Sequence, residues 1–224
     1  MKTKLAFFVP VFVLGNLAIF AQVTHGPDVS VRAEIAATLG SLAVVEGAPV
    51  YTYVGNSRCR ICHIPHSKGW KKTRMGKATE TLKPGVATEA KSKHGLDPAK
   101  DYTTDATCVN CHTTGFGHEG GYAIPDPTDK KAVRKAQRLA GAGCESCHGP
   151  GSAYVKVFTD IFRSKRTYKI EELYAVGLKK MDATACTSCH NTECPTVDEG
   201  YHFDFDKKKD EDTHERRELK QRAG

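Results

Sequence analysis

The 224-residue sequence predicts a mostly α-helical fold with extensive loops and little β-structure. Three observations predict it. Apolar residues recur at helical spacing over several short stretches. Twenty glycines and ten prolines punctuate the chain and keep each element short. Mean hydropathy is −0.45 with 39% hydrophobic residues, low for a small chain that must build a core from its own side chains. Something other than polypeptide is expected to fill the interior.

The chain opens with MKTKLAFFVPVFVLGNLAIFA. Lys2 and Lys4 form a basic start, Leu5 to Phe20 are almost wholly apolar, and Ala21 is a small cleavage residue. This is the layout of a signal peptide over residues 1–21, with the mature chain starting near Gln22 in the periplasm or outside the cell. A stretch of this length barely spans a bilayer, so no stable membrane span is expected after its removal. Losing Lys2 and Lys4 takes the formal charge from +7 to +5. An exported chain this weakly basic is not expected to bind nucleic acid. Residues 22–50 form an N-terminal arm without cysteine, with a short helix expected from Val29. The arm either covers the core or docks on a neighbouring subunit, and His25 lies close enough to the mature start to reach another molecule.

Residues 51–224 carry the chemistry. Eight of the nine cysteines fall in four Cys-x-x-Cys pairs, each followed at once by histidine. They are CRICH (Cys59, Cys62, His63), CVNCH (Cys108, Cys111, His112), CESCH (Cys144, Cys147, His148) and CTSCH (Cys186, Cys189, His190). An exported chain with many cysteines ordinarily suggests disulfides, and paired cysteines also suggest zinc. Zinc needs two pairs converging on one ion and has no need of histidine directly after the second cysteine. Covalent haem needs this pattern. Two thiols must reach the two vinyl groups of one porphyrin edge, and an adjacent imidazole must swing beneath the ring to bind iron. The expected cofactors are therefore four haem c groups, with iron held proximally by His63, His112, His148 and His190. The fold is then a multihaem c-type cytochrome with a haem-packed core.

Between the motifs, GWKKTRMGKATETL reads as a helix with Trp70, Met75, Ala78 and Leu82 near one face, ended by KPG. TDKKAVRKAQRLA reads as a basic amphipathic helix capped by Thr128 or Asp129 and stopped by Gly141. SAYVKVFTDIFRS places Tyr154, Phe158, Ile161 and Phe162 on one packing stripe, and IEELYAVGLKK is another short helix. The tail from Asp206 to Arg222 is almost continuously charged and reads as a solvated helix or frayed end. Tyr102, Asp105 and Glu145 read as ordinary polar residues.

Taken together, YVGNSRCRICH, GWKKT, LKPGV, GLDPAKDYTTDATCVNCHTTGFGHEGGY, GAGCESCHGPGS and CTSCHNTECP resemble the cytochrome c-554 family of tetrahaem cytochromes. The resemblance spans roughly residues 51–214 and omits the arm. It implies a mostly helical tetrahaem fold with haems in stacked and perpendicular pairs. It also implies electron transfer in the periplasm, away from an enzyme that oxidises a nitrogen compound. Some relatives of tetrahaem type polymerise into extracellular filaments.

The resemblance also bears on the second axial ligands. His214 stands where a distal ligand is expected. Met75 stands where the founding member has a distal histidine, and Tyr154 where relatives commonly have one after CHGPGS. The distal candidates are then His214, His66, His94, Met75 and His25, while His118 and His202 read as surface residues or as supports behind a ligand. Cys194, the ninth cysteine, is either a tolerated thiol beside a haem edge or a cross-link between chains.

Three function classes follow. The leading one is electron transfer between redox protein donors and acceptors. The second is a haem enzyme in which one iron lacks a distal ligand and binds a small nitrogen oxide or hydroxylamine. The third is a homo-oligomer or conductive filament in which a histidine of one chain serves a haem of the next.

Overall fold

The computed structural model describes residues 49–211, 213, 214 and 223, and these belong to one compact unit that begins at Pro49. The signal peptide, the arm up to residue 48 with His25, and tail residues 215–222 lie outside the described residues. In chain order the elements are α1 (Asn56–Arg60), α2 (Ile64–Trp70), a 3₁₀ helix (Met75–Leu82), α3 (Thr88–Lys93) and α4 (Ala106–His112). Then come α5 (Lys130–Arg138), α6 (Cys144–His148), α7 (Tyr154–Ser164), α8 (Ile170–Tyr174), α9 (Ala183–Thr187) and α10 (Phe205–Lys208). The described β-structure outside strands is one isolated bridge, between Thr113 and Ala140. The fold is mostly helical, as expected.

Every attachment motif is wound as a helical turn. The CVNCH motif lies within α4, and α6 is the CESCH motif itself. At CRICH the His63 N–H donates to the Cys59 carbonyl at 3.0 Å, and at CTSCH the His190 N–H donates to the Cys186 carbonyl at 2.9 Å. A helical turn puts residues three and four apart on one face, so two thiols and one imidazole project together. Short helices are marginal alone, and side-chain caps support several of them. Asp105 accepts from Thr107 N to start α4, and Asp182 accepts from Thr184 and Ala185 N to start α9. Asp129 caps α5 through Lys131 and Ala132 N, so of the two expected caps it is Asp129 that acts.

Two helix expectations are corrected. GWKKTRMGKATETL is not one helix: α2 ends at Trp70 and a 3₁₀ helix starts at Met75. The Thr73 hydroxyl donates to the Trp70 carbonyl at 2.6 Å and accepts from Gly76 N at 3.0 Å, closing the chain into a turn. A Cβ on Gly76 would lie 2.3 Å from the Trp70 oxygen, so only glycine permits the turn. Phe162 leaves the α7 stripe: it is 58% exposed, whereas Tyr154 and Ile161 are buried. In the tail the described helix runs over Phe205–Lys208, and residues 212 and 215–222 lie outside the described residues.

Apolar packing falls into two small clusters. One gathers Leu82, Tyr102, Val109, Tyr122, Ala136 and Leu139, with Tyr53, Leu96 and Phe116 against it. The other gathers Tyr154, Ile161, Tyr168 and Leu173 between α7 and α8. Tyr102 is thus core rather than an ordinary polar residue.

Glu145 requires the larger revision, being only 1% exposed. Its Oε1 accepts from Val54 N at 2.9 Å and from Gly151 N at 2.7 Å. Its Oε2 accepts from Gly55 N at 2.7 Å. The Asn56 side chain reinforces the same junction by accepting from Cys144 N at 3.0 Å. Replacing Glu145 with Ala strands three backbone donors, and the expected loss is about 4 kcal/mol of stability. Urea denaturation of the haem-loaded protein measures it; a change below about 1 kcal/mol would show the clamp to be dispensable.

Candidate haem sites

The described thiols come together across motifs. Cys59 of CRICH lies beside Cys144 of CESCH, and Cys111 of CVNCH beside Cys189 of CTSCH, each pair close enough for one thiol to perturb the other. Cys147 of CESCH feels Cys186 and Cys189 electrostatically. The motifs therefore neighbour one another in the order CRICH, CESCH, CTSCH, CVNCH, which differs from their order in the chain. None of the nine cysteines is in a disulfide. Burial pushes the Cys147 thiol up to about 11, with Cys186 and Cys144 adding to the rise.

At CVNCH the site is built in most detail. His112 Nδ1 lies 2.7 Å from the Ala78 carbonyl and 3.2 Å from Thr81 Oγ1. A carbonyl can only accept, so Nδ1 carries the proton and Nε2 is left as the metal-binding nitrogen. The 3₁₀ helix that replaced the expected continuous helix supplies this carbonyl. It also ties itself to the motif: Thr79 Oγ1 donates to the His112 carbonyl at 2.5 Å and accepts from Gly141 N at 2.7 Å. Beside His112 lies a cavity of about 580 Å³ whose walls include Cys108, Cys111, Leu82, Tyr102 and Phe116. Its volume is in the range of cofactor pockets, and two thiols and an imidazole share one largely apolar wall set. These residues fit haem c.

Around CRICH and CESCH the structure gathers four imidazoles. The His63 and His66 ring centres are 5.5 Å apart, His66 and His214 5.0 Å, and His148 and His214 6.3 Å. The first two contacts are edge-on, whereas His148 and His214 are nearly parallel at 24°. Burial holds His148 down at about 4, helped by His214, His63 and His66. Burial likewise lowers His63, and it lowers His190 with help from Arg74. Neutral imidazole is the form that binds metal. His190 also stacks on Phe203 at 4.9 Å.

The other sequence candidates are dispersed. His94 ends α3, half-buried, where Lys93 pairs with Asp198 at 3.0 Å. Met75 opens the 3₁₀ helix, half-buried, and its carbonyl accepts from Ala142 N at 3.0 Å. Tyr154 is buried and donates to the Gly149 carbonyl at 2.9 Å, and burial raises its phenol. His118 and His202 are exposed. Cys194 lines the CVNCH cavity. Sequence reasoning missed Thr79, Thr81, Asn56 and Phe203. Only Glu145 and Asn56 carried a local signal, as polar residues inside or beside motif helices.

A mostly helical fold with Cys-x-x-Cys-His turns packed against one another defines a multihaem c-type cytochrome. Residues 58–149 match the family model described as cytochrome c554 and c-prime. The chain is 38% identical over 173 residues to cytochrome c-554 of Nitrosomonas europaea, covering 69% of this chain and 70% of that protein. It is also similar to the solved reduced state of cytochrome c554 from Nitrosomonas europaea. That likeness has a TM-score of 0.67 and 34% identity, over 79% of this chain and 91% of that one. The chain belongs to the cytochrome c-554 family. It is an electron-transport protein of the c type, and its cofactor is haem c.

Thr79→Val strands the Gly141 N–H and removes the tie on the His112 carbonyl. The expected cost is about 2 kcal/mol in thermal or urea denaturation, with the haem count unchanged. Wild-type stability would show that the 3₁₀ helix does not brace the motif.

Proposed function

We propose that the chain is an exported electron carrier holding four haems c, one at each motif, and relaying electrons between redox proteins in the periplasm or outside the cell. The observation that carries this reading is the contiguity of the motifs. Cys59 meets Cys144, Cys147 neighbours the CTSCH thiols, and Cys189 meets Cys111. Each haem iron supplies a one-electron couple when bound. The chain's own residues tether the groups through paired thiols and present one imidazole from each motif, and burial favours the neutral form of His63 and His148. Among the described residues no helix is long and apolar enough to cross a membrane.

His214, with His148, would hold the iron of the haem at CESCH. Two imidazoles sharing one metal through bonds of about 2 Å each have near-coaxial rings with centres roughly 6 Å apart. His148 and His214 stand 6.3 Å apart. His66 belongs to the same cluster and serves CRICH or its neighbour, with His94 and Met75 as further donors.

A second reading is favoured by the CVNCH cavity. Apart from His112 its described walls contain no imidazole or thioether, so the site suits an iron that binds a small molecule.

Intact-mass measurement after denaturation should show four haem additions and loss of the leader; release of haem into acidified organic solvent would sink the reading. His214→Ala should convert one low-spin haem to high-spin with all four still attached. An unchanged electronic spectrum would make His214 a surface residue of the tail. Carbon monoxide titration of the reduced protein should count at most one binding iron, while two or more would promote the enzyme.

A further inference from the structure

Lys91 is buried in α3, only 5% exposed, and its side chain is part of the wall of the cavity that also holds Cys108, Cys111 and His112. Lysine is almost never this buried unless paired, because an ammonium loses its hydration in an apolar wall. Its partners within the chain are few. Nζ donates to the Lys83 carbonyl at 2.6 Å and lies 5.4 Å from the centre of the Tyr102 ring. An ammonium has three N–H donors, and a ring face offers only a weak attraction.

Opposite charge is present only at a distance: Asp101 is held down mainly by its hydrogen bonds to Thr103, with Lys91 a smaller contribution. Asp101 is exposed and accepts from both the backbone N and the hydroxyl of Thr103, at 2.8 and 2.7 Å. Glu193, in the cavity wall, is exposed too. Among the described ion pairs neither carboxylate engages Lys91. The like charge of Lys100 lies 4.9 Å from the same Tyr102 ring. The same cavity wall thus holds a buried lysine and the two thiols that tether a porphyrin. A porphyrin joined through its vinyl groups carries two carboxylates elsewhere on its rim.

We propose that the Lys91 ammonium is the counter-charge of a propionate of the haem tethered at Cys108 and Cys111, an inference that rests on haem c occupying that site. Lys91 then raises that haem's reduction potential, because a neighbouring positive charge favours the ferrous over the ferric state.

The test uses the haem-loaded protein with Lys91→Gln, which retains an N–H donor for the Lys83 carbonyl but loses the charge, and Lys91→Arg, which retains the charge. Intact mass gives the haem count first, which separates failure of this inference from failure of the four-haem reading. Potentiometric titration of Lys91→Gln should show one step lowered and three unmoved. At the wild-type midpoint, the ferric-to-ferrous ratio of that haem should rise about tenfold, equivalent to 59 mV for one electron. Lys91→Arg should restore it. Four unmoved steps would overturn the proposal and leave Lys91 as a tie to the Lys83 carbonyl. A shift seen only with added nitrite or inorganic phosphate would assign the charge to a diffusible anion and overturn it as well. If Lys91→Gln loads three haems and Lys91→Arg four, the charge requirement supports the pairing. If both load three, the requirement is for lysine's shape and the proposal fails.

Discussion

One buried carboxylate sets the register of the molecule. Glu145 lies between the two cysteines of CESCH and accepts N–H groups from Val54 and Gly55, just before α1, and from Gly151, just after α6. A carboxylate suits this place because it accepts at both oxygens. An amide would turn an N–H towards one of these donors. The hydrogen bonds offset the cost of removing the group from water, and they join chain segments about ninety residues apart. Once residues 54–55 are held, Asn56 reaches Cys144 N and the CRICH and CESCH turns face one another. The contact between Cys59 and Cys144, and the imidazole cluster beside it, depend on that junction.

Fixing a few backbone points matters more here than in an ordinary helical protein. Most of the helices are one or two turns long, and none of that length is stable alone. The two apolar clusters are small and separate. Local caps, the Thr79 and Thr81 hydroxyls and the Glu145 clamp supply positional order, while covalent attachment of haem c binds helix, thiol and cofactor into one unit. Placing each motif on a single turn makes the tether insensitive to helix length. It requires only that the turn be anchored at its start, as Asp105 and Asp182 do.

What was legible in the sequence was local. The four motifs, the Asp129 cap and the short α7 and α8 helices follow from spacings of two to four residues. The break between Trp70 and Met75 did not follow, because helical periodicity persists across it. The deciding facts are the Thr73 hydroxyl and the closeness of Gly76 to the Trp70 carbonyl. The exposure of Phe162 depends on where Tyr168 and Leu173 return to pack on α7. Glu145 read as an ordinary polar residue and Lys91 carried no signal, because the burial of both depends on segments distant in sequence. His214 could be singled out only through family resemblance, since no pattern links it to His148 across sixty-five intervening residues.

The difference between chain order and spatial order bears on how such a carrier works. CESCH and CTSCH, third and fourth in sequence, stand between the other two in space, and their thiols adjoin one another. CRICH and CVNCH are the ends of the row. At one end Ile61 and Ile64 expose apolar surface around His63, at 66% and 48%, beside the exposed Arg58 and Arg60. At the other the cavity near His112 is lined by Lys91, Glu193 and Cys194. The interior pair is therefore flanked by another motif on each side, although His190 itself is exposed, whereas each terminal motif meets its own set of charges. Burial and nearby charge both tune haem potentials, so a row with differing ends can favour one direction of transfer without any moving part.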